Sequence, residues 1–203
     1  MSLYEFEKQR YSEGKVSICG IDEAGRGPLA GAVYAAAVIL PPEPHIEGLN
    51  DSKKLSEKKR KALFEEIIEK AIAFNICAVD ERTIDEINIL QATMLAMRGA
   101  ALGLTIKPEI AYIDGNKCPD LGDIPAEYLV GGDGISASIA AASILAKVSR
   151  DTYMLEQAKL YPQYLFEKHK GYGTALHYQM LAEHGVSPIH RLSFLKKWKG
   201  VRP

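Results

Sequence analysis

Four pairs of adjacent acids occur along the chain, Asp22-Glu23, Glu65-Glu66, Asp80-Glu81 and Asp85-Glu86. The first stands at the end of an apolar run, VSICGID (16–22), where it opens into the turn of GRGPLAG. Two single acids share that setting: Asp114 ends IAYIDG, and Asp133 follows LVGG. Acids at the polar exits of buried strands sit where open α/β sheets place ligand sites. With no His or Cys cluster beside them, an all-oxygen set suits a hard cation, Mg²⁺ or Mn²⁺, which keeps several waters and needs few carboxylates. Phosphate is the natural partner of such a site, since two ions about 4 Å apart clamp the attacking water and departing oxygen of a phosphodiester. The other three pairs fall within or at the starts of predicted helices, where solvation and the helix dipole account for them. For Asp114, followed by Gly115 and Asn116, an ordinary turn is the competing explanation.

The turn Gly25-Arg26-Gly27 adds a second chemical feature. Glycines there allow a ligand close to the backbone, and exposed N–H groups beside Arg26 suit a phosphate or a hydroxyl. As a dinucleotide fingerprint the segment fails, because Pro28 and a predicted strand stand where a helix should begin. No P-loop and no GxSxG elbow occurs elsewhere, which disfavours nucleotide-binding and acyl-transfer readings.

These residues need a scaffold. Residues 16–22 and 30–40 are predicted as buried strands joined by the Gly-rich turn, followed by strands at 73–80 and 108–115 and a short one over 129–132. Helices are predicted over 56–71 with Ser56 as N-cap, from a Thr83/Glu86 capping box to about 102, over 136–160, and after Thr174 up to Gly185. The Ala- and Ser-rich start of the 136–160 segment predicts close packing on the sheet. The pattern predicts one α/β domain over residues 1–203, with 161–203 as a basic, helical C-terminal segment.

Composition bounds the class. Hydrophobic residues at 47% and charged residues at 25% are those of a water-soluble globular chain. No apolar run approaches the roughly 20 residues of a membrane span. The charged N-terminus predicts no export signal, and three cysteines without a CxxC pair predict a reduced, cytoplasmic setting. Net charge is −1, but residues 167–203 carry seven Lys/Arg against two acids. That asymmetry suits either polyanion contact or a solvated helical tail.

Six blocks then resemble the type 2 ribonuclease H family, in its bacterial ribonuclease HII group. They are GIDEAGRGPLAGAV, LNDSKKLS (49–56), YIDGN (112–116), SIAAASILAKVSRD (138–151), HKGYGT (169–174) and HRLSF (190–194), in the family's order and across nearly the whole chain. The resemblance implies a ribonuclease H-like fold: a central mixed five-stranded sheet flanked by helices, with a helical C-terminal segment. It implies metal-dependent hydrolysis of the RNA strand of RNA–DNA hybrids and incision 5′ to single ribonucleotides in duplex DNA, leaving 3′-hydroxyl and 5′-phosphate ends.

The family's carboxylates map onto Asp22, Glu23, Asp114 and Asp133. In this reading Asp22 bridges two ions, Glu23 and Asp114 favour the leaving-group ion, and Asp133 favours the ion that activates water. Gly25, Arg26 and Gly27 are implied to contact the 2′-hydroxyl and adjacent phosphate, and Tyr172 to stack on the neighbouring sugar. A 2′-hydroxyl is the one group that separates RNA from DNA locally.

Asn50, Ser52 and Lys53 are expected to position the nucleic-acid backbone without reading sequence. Ser136, Ser138 and Ser143 are candidates for phosphate contact at a helix N-terminus, with capping and packing equally good explanations. Asp151 matches a family position and is read as structural. One departure is Gly131, where the family often carries lysine. The Arg-bearing turn and Tyr172 also separate the chain from the sister ribonuclease HIII group.

Rival readings are weaker. The spacings of His169, His177, His184 and His190 match no zinc motif. A non-catalytic hybrid-binding module has no use for four carboxylates, which repel phosphate unless metal is bound. A sliding clamp stays open as a partner, and nothing demands more than a monomer.

Overall fold

Residues 33–39 are apolar on both sides of the chain, as a strand covered on both faces must be. In the computed structural model, which describes residues 3–43, 45–50, 52 and 55–198, they form β2 (Val33–Ile39), next to β1 (Ile18–Ala24). With β3 (Ala73–Val79), β4 (Ile110–Asp114) and β5 (Ala126–Leu129) they build a five-stranded sheet of order β3-β2-β1-β4-β5. β1 is antiparallel to β2 and parallel to β4, β3 is antiparallel to β2, and β5 is parallel to β4. The sheet is therefore mixed, as the resemblance implied.

Alternation splits β2 between two cores. Val33, Ala35, Ala37 and Ile39 pack with Ala92, Ala96, Met97 and Ala100 of α3 (Glu81–Leu102). Ala36 and Val38 pack with Leu63 and Ile67 of α2 (Glu57–Lys70) and with Ala140, Ala141 and Ile144 of α4 (Ala137–Leu160). Small residues bring α4 close enough that a Cβ on Gly20 would fall 2.2 Å from the Ile139 nitrogen. This contact holds α4 over β1 and places its first turns beside the strand's acidic end.

Ser56 caps α2 and Ser136 caps α4, each accepting a backbone N–H three residues on. At α3 the expected Thr83 cap gives way to Asp80, whose carboxylate accepts the Thr83 N–H, so the helix begins two residues before Thr83. The helix is interrupted at Asn88 (φ 68°, ψ 163°), whose side chain accepts the N–H groups of Leu90 and Gln91 and restarts the turn. The strand expected over 129–132 runs instead over 126–129 and gives way to a 3₁₀ turn at Gly132–Gly134. A further helix, α1 (Tyr4–Ser12), was not legible in its strongly charged sequence. Beyond α4 come α5 (Phe166–His169) and α6 (Ala175–His184), the latter capped by Thr174 and ended by Gly185 at φ 72°. The chain then returns to the start of the molecule: Ala30 bridges His190, and the Gly31 N–H donates to the Ile189 carbonyl.

Candidate active site

Strand register assembles the carboxylates. Ile18 pairs with Ile110, Gly20 with Tyr112 and Ile21 with Ile113, so the next step along both strands sets Asp22 beside Asp114. Asp22 is buried, on the α4 side of the sheet, with Glu23 next along the chain. Burial raises its pKa well above the ordinary carboxylate range; repulsion from Glu23 and then Asp114 adds to this. Hydrogen bonds from the Ser143 side chain and the Glu23 N–H, the latter at 2.7 Å, offset only part of that cost. Ser143 in turn lies 2.8 Å from the Ser52 hydroxyl. Asp114 Oδ1 accepts the Gly132 N–H at 2.7 Å, which ties the end of β4 to the 3₁₀ turn carrying Asp133.

The donor set is all oxygen, and the repulsion at Asp22 is what a bound cation removes, so the acids suit divalent ions. Among the described residues no three His, Cys, Asp or Glu side chains already converge on one ion position. Gly131 has φ 69°, in the left-handed region that favours glycine, so a lysine there would strain the backbone.

The Gly25–Gly27 turn lies immediately beyond β1. Gly25 has φ 99°, and a Cβ on it would meet the Arg150 side chain at 2.1 Å. This glycine is required by packing, not by ligand approach. A Cβ on Gly27 would meet nothing nearer than 3.9 Å, and that neighbour is Tyr172 Cε1. The open face therefore lies at Gly27, against the tyrosine. Tyr172 is 42% exposed, and its ring is approached by Arg150 (5.6 Å) and Lys147 (5.9 Å).

Several expectations need correction. Ser136 and Ser138 are 0% exposed. The Ser136 hydroxyl and the Ser138 N–H both donate to Glu7 Oε1, at 2.6 and 2.9 Å. A protein carboxylate thus fills the N-terminus of α4, and these serines do not face a duplex. Ser52 is also buried; its hydroxyl meets Ser143 and its carbonyl accepts from Arg60. It acts inward, toward Asp22. Asn50 is exposed as expected, while Lys53 lies outside the described residues. Asp151 pairs with Lys147 at 2.8 Å, in line with its structural reading.

Three of the four histidines do gather, but not around a metal. His177 Nδ1 meets the Tyr172 carbonyl at 3.0 Å, so it must donate. His177 Nε2 then accepts from His190 Nε2 at 3.0 Å, and His190 Nδ1 accepts the N–H (2.8 Å) and hydroxyl (2.7 Å) of Ser187. His169 Nδ1 accepts the Gly171 N–H, and its Nε2 donates to the Tyr164 carbonyl. All six ring nitrogens are engaged in one consistent neutral pattern. Burial first, then the neighbouring imidazole, lowers His177 to about 4 and His190 to about 3. The chain of rings fixes the backbone on either side of Tyr172.

Sequence reasoning placed Ser143 among the serines that could touch phosphate, whereas it bonds to Asp22 and Ser52, and it missed Arg150 and this histidine chain. It counted Arg191 only as one cation of a basic segment, yet Arg191 is 0% exposed and reaches the carbonyls of the Gly25–Gly27 turn. Its place in the HRLSF block was the available signal.

Comparison with known proteins points to one family. Residues 19–197 match the family described as Ribonuclease HII. A ribonuclease HII of Caldicellulosiruptor saccharolyticus is 54% identical over 195 residues, covering 96% of this chain and 95% of that protein. One from Dechloromonas aromatica is 61% identical over 177 residues, covering 87% of this chain and 90% of its own length. Among solved structures, ribonuclease H2 from Pyrococcus horikoshii OT3 superposes with a TM-score of 0.73 at 25% identity, covering 88% of this chain and 93% of its own. The ribonuclease HII in the PCNA complex from Archaeoglobus fulgidus gives a TM-score of 0.74 at 24% identity over 93% of this chain and 98% of its own, a likeness of fold.

Proposed function

The chain belongs to the ribonuclease HII family, and from that footing we propose that it incises duplex DNA 5′ to a single embedded ribonucleotide, leaving 3′-hydroxyl and 5′-phosphate ends. Membership makes it an endoribonuclease acting on RNA–DNA hybrids. The observation that carries the finer reading is the juxtaposition of crowded Asp22, Glu23 and Asp114 with the open face of Gly27 and Tyr172.

Asp22, Glu23, Asp114 and Asp133 would hold Mg²⁺ or Mn²⁺. When bound, such ions supply charge stabilisation at the phosphodiester and an activated water. Ser143 orients Asp22, and the Gly132 N–H orients Asp114. The turn N–H groups would meet the 2′-hydroxyl and phosphate, with the Tyr172 ring against the next sugar. Lys53, Lys54 and the lysines of the C-terminal segment would add sequence-independent attraction to phosphate. The chain is read as a monomer.

Two end-labelled duplexes test this, one all-DNA but for a single ribonucleotide and one a continuous hybrid, each with Mg²⁺, Mn²⁺ or EDTA. Metal-dependent incision 5′ to the lone ribonucleotide is expected. Cleavage of the hybrid alone would overturn the junction reading.

A further inference from the structure

Arg191 is a fully buried arginine whose five N–H donors are all used, and every acceptor is a main-chain carbonyl. Nη2 reaches the Gly25 carbonyl at 2.7 Å, Nη1 reaches those of Arg26 (3.0 Å) and Pro28 (2.9 Å), and Nε reaches that of Gly31 (2.8 Å). A trans peptide sends its N–H opposite to its C=O. Each carbonyl drawn inward by Arg191 therefore turns the next residue's N–H outward.

One of these peptides shows the effect directly. The Pro28 carbonyl faces Arg191, and the N–H of the same unit, on Leu29, donates to the Gly171 carbonyl at 2.8 Å. The two preceding units, 25–26 and 26–27, place the N–H groups of Arg26 and Gly27 away from Arg191. Gly27 is also the position whose Cβ side is open. The backbone of residue 191 is itself fixed, since its N–H donates to the Leu29 carbonyl at 2.8 Å.

We propose that Arg191 is a positioning residue for substrate recognition: it sets the Gly25, Arg26 and Pro28 carbonyls inward so that the Arg26 and Gly27 N–H groups stand ready for a ribose hydroxyl and its phosphate. This rests on the reading of the turn given above. Arg191 touches no substrate, and its effect passes through peptide planes. A guanidinium suits the task because a single rigid fork satisfies several carbonyls, which an ammonium cannot match.

Two readings of Arg191→Gln test it. The first is limited trypsin digestion, with cutting after Arg26 as the signal. A turn released from its carbonyl anchor is cut about tenfold faster, in the manner of a locally opened segment, while cutting within residues 57–70 is unchanged. The second is the ratio of affinities for a duplex with one ribonucleotide and its all-DNA counterpart, measured with Mg²⁺ in an Asp22→Asn background. That ratio falls about tenfold, the worth of one good hydrogen bond, with all-DNA affinity kept.

A merely structural role lowers both affinities together and leaves their ratio intact, which would overturn the proposal. So would unchanged cutting after Arg26. If Arg191→Gln shows no cooperative melting, Arg191→Lys, which keeps the charge, is read in the same two ways. Failure of the underlying turn reading is separately visible, as an Arg191-intact protein with no preference for the ribonucleotide duplex.

Discussion

The carboxylate centre and the recognition frame are both built from buried polar groups, yet only one of them is balanced. Around Arg191 every donor meets a carbonyl, and around His177 every ring nitrogen meets a partner. Around Asp22, burial is compounded by two neighbouring acids, and its hydrogen bonds do not compensate. The difference separates holding a shape from taking a ligand. Arg191 and His177, which hold their surroundings in one orientation, are fully satisfied, whereas a site that must attract cations keeps its repulsion until they arrive.

Removing the repulsion should therefore cost function and not stability. Asp22→Asn is expected to lower metal-dependent cleavage by about 10³-fold or more, the scale of losing a group that supports transition-state charge. Its urea midpoint should stay level or rise, since a buried, repelled charge has gone. Lost cleavage with a large loss of stability would show Asp22 to be a structural acid. The same operation on the frame should go the other way. Arg191→Met leaves several buried carbonyls without donors and should destabilise by about 3–5 kcal/mol in a urea titration.

Acid separates the two regions by sign. His177 and His190 titrate in the fold at about 4 and 3, below their ordinary 6.5. Their contribution is fully present above pH 6.5 and is lost as pH falls toward those folded values, by up to about 1.4 kcal/mol per pH unit for each ring. Asp22, raised by burial and its neighbours, works in the opposite sense: lowering the pH through its folded value relieves the repulsion. Urea midpoints of Asp22→Asn should fall more steeply as pH is lowered than those of the unmodified protein. Parallel slopes would show that Asp22 does not carry that repulsion.

The smallest effect expected is at Ser143. Ser143→Ala removes one hydrogen bond to Asp22 and should lower kcat about three- to tenfold with KM little changed. A change in KM alone would place Ser143 in binding.

What could be read from the sequence was local. Asp22, Glu23 and Asp114 follow runs whose apolar pattern marks them as strand ends, and the register of two parallel strands does the rest. Asp133 was singled out by the same reasoning, although it sits on a 3₁₀ turn beyond its strand. Ser136 and Ser138 stayed open between phosphate contact and capping or packing, and the structure takes the second; Glu7, which occupies that helix N-terminus, lies on a helix whose charged sequence hid its packing. Arg191 and the histidine chain were illegible for a different reason. Arg191 meets Gly25 across 166 positions, and neither residue type announces the other. Contacts of that range follow from the completed fold and not from local propensity.

The claim that the acid centre is waiting for cations is tested most directly by melting the protein and Asp22→Asn in a Mn²⁺ titration, with no substrate present. At tenfold over the dissociation constant, binding to the native state adds about 1.4 kcal/mol, or roughly 3–6 °C in Tm for a chain of this size. The account predicts that rise for the unmodified protein and a rise under about 1 °C for Asp22→Asn at the same concentrations. Equal rises in both, or none in the unmodified protein, would contradict it.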